Sequence, residues 1–419
     1  MPNQSPFDTT QNIFQNRDVL DVDDYQPEQL IERDEQIDEY ASALEPILNG
    51  WKPNNIFVYG KTGTGKTATT HYMLNWLRHD IQEQSSAVEG SDKKDSNTTS
   101  STNLEVVYLN CEALTSSYQV AVELLNDLRD EAHQVATRGH APNDIYNWLF
   151  EEIDNRNGVV LVVLDEVDHI GDDDTILYQL ARARSTNNLK NSNLGVMGIS
   201  NDFSFREDLS PKVRDSLCEK EILFPAYNAT ELTEILKRRA EKALYDDAYD
   251  LGVLNSSAAY AAKDKGSARQ AIDILRNAGD LAQKKDLDTI TPDLVKEAKG
   301  IVERGRVSEM IGGLSPHGKY ALHGLAIASK NNETPIRTKE LYDYYRIVCQ
   351  REQTDTLSVR ALRDHLAELD LIGIAKEDQR NAGRGGGKYK QFDLDVKVDA
   401  VIEAFKSDTD VHHSMDNSF

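Results

Sequence analysis

The sequence predicts an α/β chain: a parallel sheet carrying a phosphate loop, then an all-helical segment, then a winged helix. Three observations carry that prediction. Residues Gly60–Thr67, GKTGTGKT, fit G-x-x-x-x-G-K-[ST] between an apolar run and a helical stretch. Strand-like runs alternate with helical periods as far as Phe224 and then stop. Beyond Leu314, three helical stretches precede two strand-like runs that flank a Gly-rich tip.

The phosphate loop is explained by its residue types. Glycines at 60, 63 and 65 let the backbone turn its N–H groups inward around phosphate oxygens. Lys61, Thr62 and Thr64 complete the loop; Lys66 can reach the β and γ phosphates, and Thr67 can place its hydroxyl on Mg²⁺. Ile56–Tyr59 reads as a buried strand, and Ala68, Met73, Leu74 and Leu77 mark a helix whose N-terminus favours anions. A chance match in a Gly-rich turn would lack this order of strand, loop and helix.

Around the loop, Leu30–Leu48 has helical spacing at Leu30, Ile37, Leu44 and Leu48. Residues 82–103, rich in Ser, Thr and Asn, read as a flexible insertion. Val106–Asn110 is a second strand, and residues 117–131 and 143–154 read as helices. The unbroken apolar run Val159–Leu164 predicts a parallel strand covered on both faces. Leu194–Ser200 and Glu221–Phe224 complete the sheet. Glu231–Tyr245, Ala268–Lys284 and Pro292–Arg304 then carry helical periodicity. The last unit has helices at about 316–330, 337–351 and 357–369, a short strand at Leu371–Ala375, a tip at Gly383–Lys388 and a return strand at Tyr389–Leu394. The expected divisions are a mobile stretch 1–20, a nucleotide-binding domain 21–225, a helical domain 226–307, a winged helix 308–406 and an acidic tail 407–419.

Composition narrows the class. The chain of 419 residues has no apolar run near the ~20 residues that span a bilayer, and its N-terminus is polar. Cys111, Cys218 and Cys349 lie far apart without metal spacing, which fits a reduced cytoplasmic protein. Acidic residues number 71 against 47 basic, a formal net charge of −24. One reading is an acidic binding surface; the other is a solvated surface suited to molar salt, where the Debye length falls to about 3 Å. The excess is spread along the chain, which favours the second. Residues 308–400 hold 14 basic and 14 acidic residues, so the C-terminal unit alone is relieved of negative charge.

The sequence also places acids where nucleotide chemistry needs them. Asp165, ending the central apolar run, can hold Mg²⁺, and Glu166 is placed to orient or deprotonate a water. Asn201, after the next strand, can position that water; by itself it would read as a turn residue. Arg269 opens a helix in GSARQAIDILR and can swing onto a γ-phosphate; by itself it would read as a solvent-facing helix arginine. No N-K-x-D guanine motif occurs, which argues for ATP over GTP.

Together GKTGTGKT, VVLDEVD, GISND with the downstream LSPKVRDSL, GSARQAIDILR and the C-terminal winged helix resemble the AAA+ ATPases. The closer resemblance is to the archaeal replication initiators related to the origin recognition complex and the cell-division-control helicase loader. It covers about residues 20–400 and implies an ATPase domain with a helical lid, ATP or ADP with Mg²⁺ as ligands, and slow, switch-like hydrolysis. It implies that Lys66 and Thr67 bind phosphate and Mg²⁺, Asp165 holds the metal, Glu166 is catalytic, and Asn201 and Arg269 are the first and second sensors. Glu32 and Arg33 look like the box lining the adenine pocket, with Tyr227 also at the nucleotide. The pattern departs at Arg214-Asp215-Ser216-Leu217. Ser216 stands where relatives place an arginine that reaches a neighbour's ATP, leaving Arg214 as a weaker arginine finger. The implied partners are double-stranded origin DNA, the replicative helicase and further copies or paralogues on DNA, with no membrane and a nucleoid location.

For DNA, the third helix of a winged helix enters the major groove and the wing follows the backbone or minor groove. Here that helix offers Ser358, Arg360 and Arg363. Residues 380–390 offer Arg380, Arg384, Lys388 and Lys390 with no acid. The same fold also serves as a protein-docking module. The resemblance adds a second DNA contact at about Thr115–Leu128, which lacks Lys and Arg and would rest on backbone N–H groups, Ser116, Ser117 and Tyr118. The leading expectation is an ATP-regulated origin-binding initiator. Its rivals are a helicase or clamp loader without sequence-specific DNA binding, and an ATP-gated transcription regulator.

Overall fold

The computed structural model describes residues 13–22, 25–89, 103–171, 173–381 and 388–407. They form two compact units, one running to Arg276 with Asp286–Ile290, the other made of Asn277–Lys285 and the residues from Thr291 onward.

The first unit runs α1 (Asp34–Leu48), β1 (Ile56–Gly60), α2 (Lys66–Glu89), β2 (Leu104–Asn110), α3 (Ser117–Asp127), α4 (Pro142–Asn155), β3 (Val159–Asp165), α5 (Thr175–Ala181), β4 (Asn193–Ser200), α6 (Phe205–Asp208), α7 (Pro211–Leu217) and β5 (Lys220–Phe224). Then come α8 (Ala229–Ala243), α9 (Leu251–Asp264) and the start of α10 (Ala268–Lys284). The five strands are parallel in the order β2-β3-β4-β1-β5. Strand side chains alternate between two apolar layers. Phe57, Val160, Val162 and Leu164 pack with α3, α4, α5 and α7, while Ile56, Val58, Val159, Leu161 and Val163 pack with α1 and α2. All seven residues of β3 are buried, as an unbroken apolar run between two helix layers requires. Because β4 lies between β3 and β1, the order brings the ends of β3 and β4 beside the loop that follows β1.

The second unit holds α11 (Pro292–Gly312), α12 (Pro316–Lys330), β6 (Ile336–Arg337), α13 (Thr338–Arg351), α14 (Val359–Leu371), β7 (Ala375–Asn381), β8 (Lys388–Leu394) and α15 (Val398–Ser407). Its core joins Leu322 and Leu325 of α12, Tyr345 of α13, Leu362 and Leu366 of α14, and Phe392 of β8. β7 and β8 form the antiparallel wing, with β6 added to the outer edge of β8.

Several elements differ from the sequence expectation. The first helix begins at Asp34, not Leu30, because Glu32 adopts a left-handed φ of 60° and Arg33 is the N-cap. α2 continues to Glu89, into the stretch expected to be a flexible insertion, of which 90–102 lies outside the described residues. α3 stops at Asp127, and α11 runs on to Gly312. α5, α9 and α15 were not expected; α9 buries Ser257, Ala258 and Ala261, residues too small to give a strong apolar period. The strand expected at Leu371–Ala375 is the end of α14 and a turn, and the first wing strand is the polar AKEDQRN, held by its pairing with β8. Among the described residues, no helix is long and apolar enough to cross a membrane.

Candidate functional site

The loop after β1 is shaped by glycine at two positions. Gly63 and Gly65 have φ of 78° and 90°, backbone that favours glycine. A Cβ on Gly63 would fall 2.0 Å from Ser267 Oγ, and one on Gly65 would fall 3.0 Å from the Tyr227 hydroxyl. Lys66 is 5 % exposed, and its ammonium donates to Gly60 O at 2.8 Å, Lys61 O at 3.0 Å and Asn201 Oδ1 at 2.7 Å. Burial lowers its pKa to about 8, opposed by Asp165, Asp168 and Glu166. The buried Thr64 donates its hydroxyl to Lys61 O, while Lys61 and Thr62 are exposed.

Asp165 sits across from Thr67. Its Oδ2 accepts from Thr67 Oγ1 at 2.8 Å and from the Tyr108 hydroxyl at 2.5 Å, and its Oδ1 accepts from Glu166 N at 2.9 Å. Glu166 has a left-handed φ of 54°, and its Oε1 accepts from Asn201 Nδ2 at 3.1 Å. Burial, reinforced by Glu112 and Asp165, holds the Glu166 carboxyl above its ordinary pKa. Asn201 therefore bridges the lysine and the glutamate, its oxygen toward the ammonium and its amide N–H toward the carboxylate. Its backbone N–H donates to Asp168 Oδ1 at 3.1 Å.

Tyr108 is a site residue that sequence reading missed, as is His71, whose ring stacks on it at 4.4 Å. Burial and the neighbouring Asp165 push the Tyr108 phenol pKa up, so the phenol stays a donor. The available signal was that Tyr108 lies two residues before the end of its strand. Using that signal requires knowing that β2 pairs with β3, with Tyr108 opposite Val163.

A cavity of about 300 Å³ adjoins the loop. Tyr25, Pro27, Leu30, Ile31, Gly65, Ala68, Tyr227 and Ile272 line it, with Glu28, Arg238, Arg239 and Lys242. Arg239 donates to Val19 O at 2.7 Å and lies over the Tyr25 ring at 4.3 Å, and Lys242 pairs with Glu28 at 3.3 Å. Glu32 and Arg33 do not line this cavity, unlike the expected box: Glu32 is exposed, and Arg33 is buried against Thr64, Pro225 and Tyr227. The turn of chain at Glu32 points its neighbours Leu30 and Ile31 into the cavity instead. Arg269 opens α10 beside the loop: Ala268 N donates to Gly63 O at 2.9 Å, and a Cβ on Gly63 would meet Arg269 Cβ at 3.4 Å. Arg214 is half-buried on α7, where its charge acts on the Cys218 thiol, and it is not among the residues gathered at the loop.

In the second unit, Ser358 is spent on structure: its Oγ accepts from Ala361 N and caps α14. Arg360 and Arg363 are exposed on α14, whose Leu362, Leu366 and Leu369 are buried. The wing is less positive than its acid-free stretch suggested, because Arg380 pairs with Asp378 at 3.0 Å and Lys390 pairs across the hairpin with Glu377 at 2.7 Å. Arg384 and the side chain of Lys388 lie outside the described residues. Arg337, which was not singled out, is exposed on the strand beside the wing, its guanidinium 4.0 Å from the Tyr389 ring centre.

At the expected second DNA contact, Thr115–Leu128, Ser116 and Ser117 are already engaged within the protein. Ser116 caps α3, and Ser117 is 1 % exposed, with its N–H on Asp173 Oδ2 and its hydroxyl on Asp173 O. The Tyr118 hydroxyl is buried.

Comparisons with known proteins match three successive stretches of the chain. An AAA domain matches residues 52–199, a Cdc6 AAA+ ATPase-type lid domain matches 233–300, and the CDC6 C-terminal winged helix domain matches 309–404. ORC1-type DNA replication protein 11 of Haloarcula marismortui is 45 % identical over 414 residues, covering 98 % of this chain and 96 % of its own. ORC1-type DNA replication protein 8 of Halobacterium salinarum is 46 % identical over 402 residues, covering 96 % and 98 %. The solved structure of the Aeropyrum pernix ORC1 protein in complex with DNA superposes with a TM-score of 0.78 at 30 % identity, covering 95 % of this chain and 98 % of that one. The chain belongs to the ORC1/Cdc6 family of AAA+ proteins, with its AAA domain, Cdc6-type lid and C-terminal winged helix.

Proposed function

We propose that this protein is an ATP-regulated DNA replication initiator. It binds double-stranded origin DNA through its winged helix and helps recruit or load the replicative helicase. The observation that carries the nucleotide half is the bonded chain Lys66–Asn201–Glu166 beside the Thr67–Asp165 pair, all at one glycine-shaped loop. The DNA half rests on the family, on the A. pernix relative solved with DNA, and on the exposed Arg360 and Arg363 of α14.

The residues fit ATP with Mg²⁺. The loop closes at Gly63 and Gly65 where a Cβ would intrude, and a hydroxyl already faces a carboxylate at Thr67 and Asp165, an oxygen pair suited to a hard cation. Bound ATP supplies a phosphoryl group transferable to water. Loop N–H groups and Lys66 bind its phosphates, Thr67 and Asp165 hold the cation, and the aromatic and aliphatic cavity lining takes the base. Glu166, with its raised pKa, accepts a proton from the attacking water, and Asn201 fixes both the acid and the lysine. Arg269, at the lid edge of the loop, reports the phosphate state. Held by these residues, the nucleotide would serve as a switch ligand, with slow hydrolysis to reset it. Arg214 is the remaining cation for a neighbouring copy's nucleotide.

DNA footprinting on origin-region fragments, with ATP, with ADP and with a Lys66→Ala variant, tests the reading. The expected result is discrete protection of a repeated element by wild type that changes with nucleotide and is insensitive to nucleotide in the variant. Uniform binding to any DNA sequence contradicts it.

A further inference from the structure

Arg33 is 3 % exposed, and its hydrogen-bond acceptors are backbone carbonyls from three separate segments. Nε and Nη2 both donate to Thr64 O, at 3.1 and 2.8 Å. Nη2 also donates to Pro225 O at 3.0 Å, and Nη1 to Glu32 O at 3.1 Å. The guanidinium lies over the Tyr227 ring at 3.5 Å. A buried charge is costly unless every donor is used. This one is spent chiefly on a single peptide of the phosphate loop.

That peptide joins Thr64 to Gly65. A trans peptide is planar, with C=O and N–H pointing in opposite directions. Holding Thr64 C=O against Arg33 therefore aims Gly65 N–H the other way, away from the guanidinium. The neighbouring groups are tied down too: the Thr64 hydroxyl donates to Lys61 O at 2.8 Å, and Gly65 O accepts the first α2 bond from Thr69 N at 2.8 Å. With φ of 90° and no Cβ, Gly65 has no side-chain barrier of its own against rotation of this peptide.

We infer that Arg33 is a positioning residue for phosphate recognition: its fork on Thr64 O sets the plane of the Thr64–Gly65 peptide so that Gly65 N–H faces the phosphate site. The inference rests on the nucleotide reading above. It assigns Arg33 to the phosphates and not to the base, in keeping with its absence from the cavity lining. Lysine at this position keeps the charge but presents a single nitrogen, which cannot grip Thr64 O with two donors and still hold Pro225 O.

The test titrates full-length wild type, Arg33→Lys and Arg33→Gln with ADP and, by displacement, with adenosine, and records each protein's Tm without ligand. Both variants are expected to bind ADP about tenfold more weakly, the scale of one lost charge-assisted hydrogen bond, with adenosine affinity unchanged. Arg33→Gln serves where the lysine variant is too unstable to titrate. The inference is overturned by variants that bind ADP like wild type, or that lose ADP and adenosine in equal proportion, as a base-pocket or merely structural role would give. If wild type itself prefers ADP no more than adenosine, the phosphate-site reading falls instead, which is a separate outcome.

Discussion

At the residue scale, Asn201 is the link between the lysine and the acid on which the proposed chemistry rests. It touches Lys66 through its oxygen and Glu166 through its amide, so one side chain sets the geometry of both the proposed phosphate-binding cation and the proposed base. Asn201→Ala removes both bonds while leaving the loop glycines and the Thr67–Asp165 pair in place. Phosphate release is expected to slow about a hundredfold, the scale of losing one preorganised donor, while ADP affinity changes by less than about threefold. Unchanged phosphate release would place Asn201 outside the chemistry. That Glu166 and Asn201 could serve one site was legible in sequence because each directly follows a strand end. Tyr108 on Asp165 was not: a tyrosine within a strand gains that role only from the neighbour its strand acquires.

His323 illustrates what an element adds. It lies on α12 with no exposed surface, its ring 5.5 Å from Phe405 of α15. Burial, with Arg351 pushing the same way, lowers its pKa to about 4. Unfolding returns it to the ordinary histidine range near 6.5, so between these values the unfolded chain binds more protons. Its contribution is fully present above about pH 6.5 and is lost as pH falls toward 4, a swing of roughly 3 kcal/mol. His323→Leu is expected to lose less Tm than wild type between pH 7 and 4.5; equal losses would show that the ring does not titrate in that window.

Legibility at this scale follows packing. Val159–Leu164 announced its strand because two-sided burial demands an apolar run. The polar β7 did not, because cross-strand pairing and not an apolar run defines it. The same pairing brings Glu377 to Lys390, cancelling wing charge that looked free when residues 380–390 were read in isolation. The helix at Leu251–Asp264 escaped because alanine and serine bury too little to mark a period.

Across the whole molecule the charge of −24 and the haloarchaeal relatives agree on a surface made for concentrated salt. Self-repulsion among these carboxylates is screened over about 10 Å at 0.1 M salt and about 3 Å at 1 M. Thermal unfolding is thus expected to shift upward as KCl rises from about 0.1 to 2 M. A flat or falling Tm would mean that repulsion does not limit the fold. The same screening would weaken counterion release on DNA, so the proposed recognition has to draw on base-edge contacts and DNA deformation.

The proposed nucleotide switch governs where the winged helix sits on the genome. Genome-wide occupancy of the tagged protein in its own cells, alongside Lys66→Ala, tests it most directly. Sharp wild-type peaks are expected at a few sites coinciding with replication starts, redistributed in the variant. Occupancy scattered over promoters, or peaks identical in the variant, would contradict it.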